Sequence, residues 1–186
     1  VYLRACDMLY EWDKDAAQGE AITEALKSLD PGMDLPDDVK IDIMAYANGF
    51  AHVWPALHEA AGRNLSRYPI DLRKGFEIEL PHLARLRNLG RAITISGLAA
   101  ALQGDAGPMV ESQHQLMRLA HSLDNEPLLI SQLVRIAIQE VASDSLVRDL
   151  SVVAIPADAS ANLKAIYQFM DTTGPMTHAV AGERCI

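Results

Sequence analysis

The chain has 186 residues, of which 49% are hydrophobic and only 5% aromatic, so it can bury one substantial core built from aliphatic side chains. Its net charge of −9 and its isoelectric point near 5.0 argue against a general nucleic-acid-binding protein, because phosphate binding needs clustered Lys and Arg. The longest nearly uncharged apolar run, residues 92–102, is shorter than the roughly 18 residues that cross a bilayer, so the sequence predicts no membrane span.

Residues 1–66 are predicted to form an N-terminal helical hairpin. In the first 29 residues, apolar side chains recur at spacings of three and four, which is typical of a helix, and an interruption is expected at Gly19. An aspartate, Asp37 or Asp38, is expected to cap a second helix, which Pro55 then kinks or restarts.

Residues 67–80 are predicted to be an ordered connector. Residues 76–80 alternate between apolar and charged side chains, as in a β-strand, but a lone strand would have no sheet partner. Pro81 is well placed as the first residue of a long helix that reaches Gln103, because its missing N–H is not needed there.

Residues 81–150 are predicted to hold a tight hairpin and the helix that follows it. Gly104 closes the first helix, and the next one begins near Pro108, so the short connection predicts antiparallel neighbours. A stripe of small side chains along the first helix should let another helix approach closely. This stripe comprises Gly90, Thr94, Gly97 and Ala101.

The helix after Pro127 carries a wide apolar arc and is predicted to be the most buried helix of the chain. The arc comprises Leu129, Ile130, Leu133, Val134, Ala137, Ile138 and Val141. A terminal helix is expected over residues 156–171, and the tail that follows is expected to be loosely held. Residues 1–186 as a whole are predicted to form a single all-α domain of irregular antiparallel helical hairpins.

The segment from Gly97 to Asp105, with the helix after it, resembles the helix-turn-helix core of tetratricopeptide repeats. Gly97 and Ala100 match the small position and the contact position of that motif's first helix. The second helix departs from the motif, since its one small and two packing positions hold Met109, Gln113 and Leu116. No second copy follows at the expected period, so the resemblance implies one repeat-like hairpin and not a repeat array.

A longer stretch, roughly residues 46–150, resembles a group of bacterial proteins of no assigned function that are thought to be anchored by an N-terminal hydrophobic segment. The segments that carry this resemblance are Tyr68-Pro69-Ile70-Asp71, Leu80-Pro81-His82, Gln103-Gly104-Asp105 and the run from Glu126 to Arg135. The resemblance implies an extracytoplasmic helical domain whose anchor is missing from this chain. It implies no activity, cofactor or site residue.

Basic residues are concentrated in the middle of the chain. Residues 63–91 carry seven Lys and Arg against three acids, whereas residues 1–42 carry eleven acids against four bases. Arg85, Arg87 and Arg91 are therefore candidates for a groove that binds an anionic ligand or an acidic partner peptide. The alternative is that these arginines pair with acids of the same chain or lie on a solvated helix face.

The ends of the connector supply a second set of candidate binding residues. Tyr68, Asp71 and His82 could converge on a ligand, because long ordered loops often carry binding residues. Alternatively, Tyr68 anchors the loop through its ring and hydroxyl, and Asp71 and His82 satisfy nearby helix ends.

No metal or cofactor is predicted. His58 and Glu59 begin a zincin-like pattern, but Gly62 stands where the second zinc-binding histidine would be needed. Cys6 and Cys185 have no metal or redox spacing, which leaves a disulfide between them open.

The sequence favours a non-catalytic protein-interaction or scaffolding domain, since it contains no recognisable catalytic set. The alternative function is binding of a small anionic or apolar ligand, with or without hydrolysis, near residues 67–82. An enclosed pocket at the connector would favour the ligand, and an open groove with an exposed apolar patch would favour a protein partner.

Overall fold

In the computed structural model, which describes residues 1–30, 32–63, 66–168 and 173–183, every regular element is helical. The α-helices are α1 (Tyr2–Trp12), α2 (Ala17–Lys27), α3 (Asp37–Phe50), α4 (Trp54–Ala61), α5 (Pro81–Leu102), α6 (Ala106–His121), α7 (Leu129–Val152), α8 (Ala157–Tyr167) and α9 (Thr173–Glu183). Short 3-10 helices lie at Lys14–Ala16, Ala51–Val53 and Leu72–Glu77. The all-α prediction is therefore confirmed. Within these ranges, no helix combines the length and the apolar character that a bilayer span requires.

The centre of the fold is α5, which packs against α1, α2, α3, α6 and α7. Its first residue is Pro81, as predicted, and its last is Leu102, so the helix ends one residue before the predicted Gln103, which is its C-cap. Leu86, Leu89 and Ile93 of this helix are fully buried in the main core. Because five helices pack against α5, it is the element that holds the surrounding surfaces in place.

The α5–α6 hairpin closes through a glycine and an aspartate. Gly104 has a φ of +77°, a left-handed conformation that ends α5, and the Asp105 carboxylate accepts the backbone N–H of Gly107 at 3.2 Å to cap α6. Farther along α5, a Cβ added to Gly97 would lie 2.9 Å from the Cβ of Ser112 on α6. The predicted tight hairpin and the close approach at Gly97 are both confirmed.

The N-terminal region breaks earlier than expected. The interruption predicted at Gly19 falls instead between α1 and α2, where Ala16 has a φ of +55°. Buried Asp13 accepts the backbone N–H groups of Gln18 and Gly19 at 3.1 Å each, and it also accepts the Tyr46 hydroxyl at 3.3 Å. A carboxylate fixed by α3 therefore sets the position of the break.

The start of α3 differs from the prediction, whereas the start of α4 agrees with it. No aspartate caps α3: Pro36 occupies the N-cap position without a side-chain hydrogen bond, and Asp37 is the first helical residue. In that position its negative charge still interacts favourably with the dipole of the helix. Pro55 restarts the chain as predicted, as the second residue of α4.

The C-terminal region is more helical than expected. The terminal helix predicted over residues 156–171 ends at Tyr167 as α8, and the tail predicted to be loosely held contains α9, which packs on α7 and buries Ala179 completely. Residues 169–172 and 184–186, on which parts of those two predictions fall, lie outside the described ranges.

The prediction that α7 is the most buried helix is wrong. Of its predicted arc only Val134 and Ile138 are buried, while Leu129, Ile130, Leu133 and Val141 are exposed. The buried face carries many polar residues instead, namely Ser131, Gln132, Arg135, Gln139, Ser145 and Asp149. Apolar periodicity identified the helix correctly but assigned the wrong face to the interior.

Candidate functional site

Tyr68 and His82 come together as a buried stacked pair. Their ring centroids are 4.7 Å apart with an interplanar angle of 10°. The Tyr68 hydroxyl lies 2.7 Å from Ser122 Oγ, and because Ser122 donates its own proton to the Leu119 carbonyl, Tyr68 is the donor. Burial raises the pKa of Tyr68 above its ordinary value. This geometry is that of an anchor for the connector.

His82 is held from its other side by an acid. Its Nε2 lies 2.8 Å from Glu126 Oε1, and both side chains are almost completely buried. The pair joins the start of α5 to the turn after α6. His82 therefore belongs to the same buried group as Tyr68, so two of the three connector candidates are brought together.

Asp71 does not join that group. Its carboxylate accepts the backbone N–H of Arg73 at 3.2 Å and the Arg73 guanidinium at 2.8 and 3.1 Å. The side-chain hydrogen bond from Arg73 is the main reason that the pKa of Asp71 is lowered. Asp71 caps the 3-10 helix Leu72–Glu77, so the three connector residues do not converge on one ligand site.

The three arginines of α5 do not form a continuous basic groove. Arg85 forms an ion pair with Asp7 of α1, and Arg91 Nη1 lies 3.6 Å from Glu20 Oε1 of α2. Arg87 is exposed at the edge of a cleft. Two of the three candidates thus pair with the acidic N-terminal region, as the alternative interpretation expects.

The cleft is an open groove of about 680 Å³ between α2, α5 and α7. Its walls are mainly apolar, with Leu26 from α2, Ile95 and Leu98 from α5, and Ile138 and Val141 from α7. The lining carries charges of both signs: it is basic at Lys27, Arg87, Arg91 and Arg148 and acidic at Asp30, Glu140 and Asp144.

A row of apolar side chains on α7 faces outward, and its Ala137 and Val141 line the cleft. We define the α7 stripe as Ile130, Leu133, Ala137 and Val141, whose spacings of three and four place them on one face. The exposed fractions of Ile130, Leu133 and Val141 are 48%, 51% and 37%. Contiguous exposed apolar surface of this kind marks interaction sites in soluble domains.

The opposite face of α7 is held by hydrogen bonds. Gln132 Nε2 donates to the carbonyls of Leu123 and Glu126 at 2.8 and 3.0 Å, and its Oε1 accepts from Arg135 Nε at 2.7 Å. Gln113 of α6 donates to Ser145 farther along the helix. These contacts explain why the polar face lies inside and the apolar stripe outside.

Asp149 is the most perturbed acid at the floor of the cleft. Its Oδ2 accepts from Gln113 Nε2 at 3.2 Å, and Gln113 Oε1 accepts the Tyr167 hydroxyl at 2.8 Å. Burial raises the pKa of Asp149 to about 7, against the smaller opposing effects of Gln113 and Arg148. Burial therefore favours the protonated form of this carboxyl far more than in an ordinary aspartate.

Neither the stripe nor the Asp149 network was predicted as a site. A polar signal was nevertheless present, because Gln132, Arg135 and Gln139 recur at spacings of three and four just as the apolar residues do. A helix with two periodic faces has two candidate orientations, and its polar face goes inside where partners such as Gln113 are available.

Cys6 offers no accessible thiol. It is 2% exposed in the main core, and burial raises its pKa to about 12. Cys185 lies outside the described residues. Within those residues, no group of three His, Cys, Asp or Glu side chains is arranged to hold a metal ion.

Comparisons of this chain with protein-family models, with curated proteins and with solved structures found no match. The geometry of the chain itself is therefore the basis on which its function is inferred.

Proposed function

We propose that this chain is a protein-interaction domain in which the α7 stripe and the adjoining cleft bind an amphipathic helix from another protein, with a basic flank that faces Glu140 and Asp144. The observation that carries the proposal is the orientation of α7, whose apolar face is outside and whose polar face is inside. A helix with exposed Ile130 and Leu133 gains stability when a partner removes them from water, at about 25 cal/mol per Å².

A helical partner fits the shape of this surface. The cleft runs between α5 and α7, and a third helix can lie in such a groove with anchors at spacings of three and four. Leu98 and Ile138 form apolar walls for those anchors. The partial resemblance of the α5–α6 hairpin to a tetratricopeptide hairpin supports the same proposal, since stacked helical hairpins commonly present a surface to a bound peptide.

Charge favours a basic partner over a second copy of the chain. Glu140 and Asp144 lie beside the stripe near the middle of α7, and both are exposed. A symmetric pairing through the stripe would bring the exposed acids of two chains to the same interface, and each chain carries a net charge of −9, so like charges would repel. Lys or Arg on the flank of a partner helix would instead neutralise them.

The alternative of a small ligand at the connector has less support. Tyr68 and His82 are buried and bonded to Ser122 and Glu126, and Asp71 is bonded to Arg73. Each side chain already has a local role, and none faces the cleft lining described above.

The proposal is tested with two synthetic amphipathic helices of about 18 residues, a length that follows α7 for some five turns. Both carry Leu on one face; along a single flank, one peptide has Lys and the other has Glu. We expect the Lys peptide to bind in a fluorescence-anisotropy titration and the Glu peptide to bind at least tenfold more weakly. Equal binding of the two peptides, or no binding of either, would contradict the proposal.

Variants of the chain localise the binding surface. Leu133→Glu and Val141→Glu should each weaken binding of the Lys peptide about tenfold or more, because each introduces a charge at the apolar contact. Ile41→Glu is the matched control, since Ile41 is 67% exposed on α3 and does not line the cleft. If Ile41→Glu weakens binding as much as the α7 variants do, the peptide does not bind at the stripe.

A further inference from the structure

A second, smaller pocket lies on another part of the molecule, where the start of α1 meets the end of α6. Its volume is about 310 Å³, and its walls are mainly polar. Tyr2, Arg63, Arg118, His121 and Ser122 contribute side chains to it. None of these residues lines the cleft beside α7, so this pocket is separate from the proposed interaction surface.

Two residues that line this pocket each hold a hydrogen-bond donor that lacks an acceptor. The Tyr2 hydroxyl and Arg118 Nε are buried atoms with no hydrogen-bond partner among the residues that the structure describes. Tyr2 as a whole is only 4% exposed. A buried donor without an acceptor costs free energy, typically about 1 to 3 kcal/mol, so two in one pocket indicate that an acceptor is supplied from outside.

Both donors keep their protons under ordinary conditions. Burial raises the pKa of Tyr2 to about 12, although the nearby positive charge of Arg118 opposes this shift. An arginine guanidinium remains protonated in proteins at any physiological pH. The group that satisfies these donors must therefore be an acceptor, and a negatively charged acceptor would bind best.

The charges around the pocket are also those of an anion site. Arg118 Nη2 donates to the Arg63 carbonyl at 2.6 Å, which fixes the Arg118 guanidinium there. Arg63 Nη2 lies 3.5 Å from Glu59 Oε1, and Glu59 also pairs with Arg4, so these three side chains keep one net positive charge beside the pocket. The acid in the lining, Asp124, lies 3.5 Å from Arg135 and is compensated by it. The C-terminal end of α6 contributes only about half a negative charge, which the full positive charge of Arg118 outweighs.

We propose that this pocket binds a small oxyanion, a phosphate or a carboxylate, whose oxygens accept hydrogen bonds from the Tyr2 hydroxyl and Arg118 Nε. Arg63 contributes long-range attraction from the rim. The inference does not depend on the proposed interaction with a helix, because the two surfaces share no lining residue.

Isothermal titration calorimetry on the full chain, in chloride buffer at constant ionic strength, tests the proposal with inorganic phosphate and with acetate as separate probes. We expect saturable binding of at least one of them, and the stronger probe identifies the class of oxyanion. Tyr2→Phe should weaken that binding about tenfold, because a hydrogen bond to a charged acceptor is lost. Tyr10→Phe is the matched control, since Tyr10 lies on the same helix and is 54% exposed.

Thermal denaturation without added phosphate or acetate serves as the control that the variants are folded. Tyr2→Phe removes a hydroxyl that has no partner, so its melting temperature should equal or exceed that of the wild type. Arg118→Gln serves as a second variant and should abolish binding if it melts cooperatively. The proposal is overturned if neither anion binds, or if Tyr2→Phe binds as tightly as Tyr10→Phe.

Discussion

Gln113 on α6 donates a hydrogen bond to Asp149 on α7 at 3.2 Å, and it thereby joins two helices through one buried carboxyl. The other carboxyl oxygen of Asp149 has no hydrogen-bond partner within the described residues. A buried acid that is only half satisfied should prefer its neutral form, in agreement with its pKa of about 7.

Asp149→Asn should therefore change how stability depends on pH. The folded pKa is about 7 and the ordinary pKa of an aspartate is 3.8, so the native state binds more protons than the unfolded state between these values. The stability that Asp149 contributes is complete below pH 3.8 and is lost as pH rises through 7. In urea denaturation between pH 5 and pH 8, the free energy of unfolding of the wild type should fall by about 2 to 3 kcal/mol more than that of the variant. Parallel pH profiles of the two proteins would show that Asp149 is not responsible.

Gly97→Ala should destabilise the α5–α6 hairpin by about 1 to 3 kcal/mol, because the new Cβ would lie 2.9 Å from the Ser112 Cβ. Gly90→Ala is the control on the same helix: its Cβ would meet no atom nearer than 3.8 Å, and alanine favours the helix by about 1 kcal/mol. In chemical denaturation, the free energy of unfolding should therefore be lower than that of the wild type for Gly97→Ala and higher for Gly90→Ala. Ser112→Gly should restore part of the stability that Gly97→Ala loses, and an equal loss in both glycine variants would contradict this explanation.

Gly182→Ala should release α9 from α7. A Cβ at this position would overlap the backbone carbonyl of Pro127, which cannot move aside as the end of a flexible side chain can. Hydrogen exchange should then become faster in residues 173–183 and remain slow in α5. Val180→Ala, at an exposed position of the same helix, should leave the exchange rates unchanged.

Tyr68→Phe should cost about 1 kcal/mol of unfolding free energy, the typical contribution of the single hydrogen bond that it loses to Ser122. Tyr68→Ala should cost about 3 to 5 kcal/mol, because it also removes the ring that stacks on His82. Thermal or urea denaturation measures both. If Tyr68→Phe is as harmful as Tyr68→Ala, the hydroxyl has a role beyond anchoring the connector.

Local signals in the sequence were sufficient for the central hairpin. Pro81 and Gly104 act through backbone geometry, which depends little on distant residues, so the start of α5 and its end could be predicted. The break after α1 could not, because it depends on Asp13 meeting Tyr46, 33 residues away.

The candidate surfaces were harder to predict for the same reason. Periodicity identifies the two faces of α7, but the interior face is decided by Gln113 and the turn that Gln132 holds, which are distant in sequence or irregular in structure. The pocket at Tyr2 and Arg118 joins residues more than a hundred positions apart, and a single sequence carries no signal for such a meeting.

The directional bonds on the inner face of α7 have a mechanical consequence. Apolar side chains would let the helix roll about its axis, whereas the Gln132 and Gln113 hydrogen bonds are lost if it turns by even one residue position, about 100°. The stripe thus cannot fold inward when no partner is bound. An incoming helix would meet a surface already in its final orientation, and little of the binding free energy would be spent on ordering the domain.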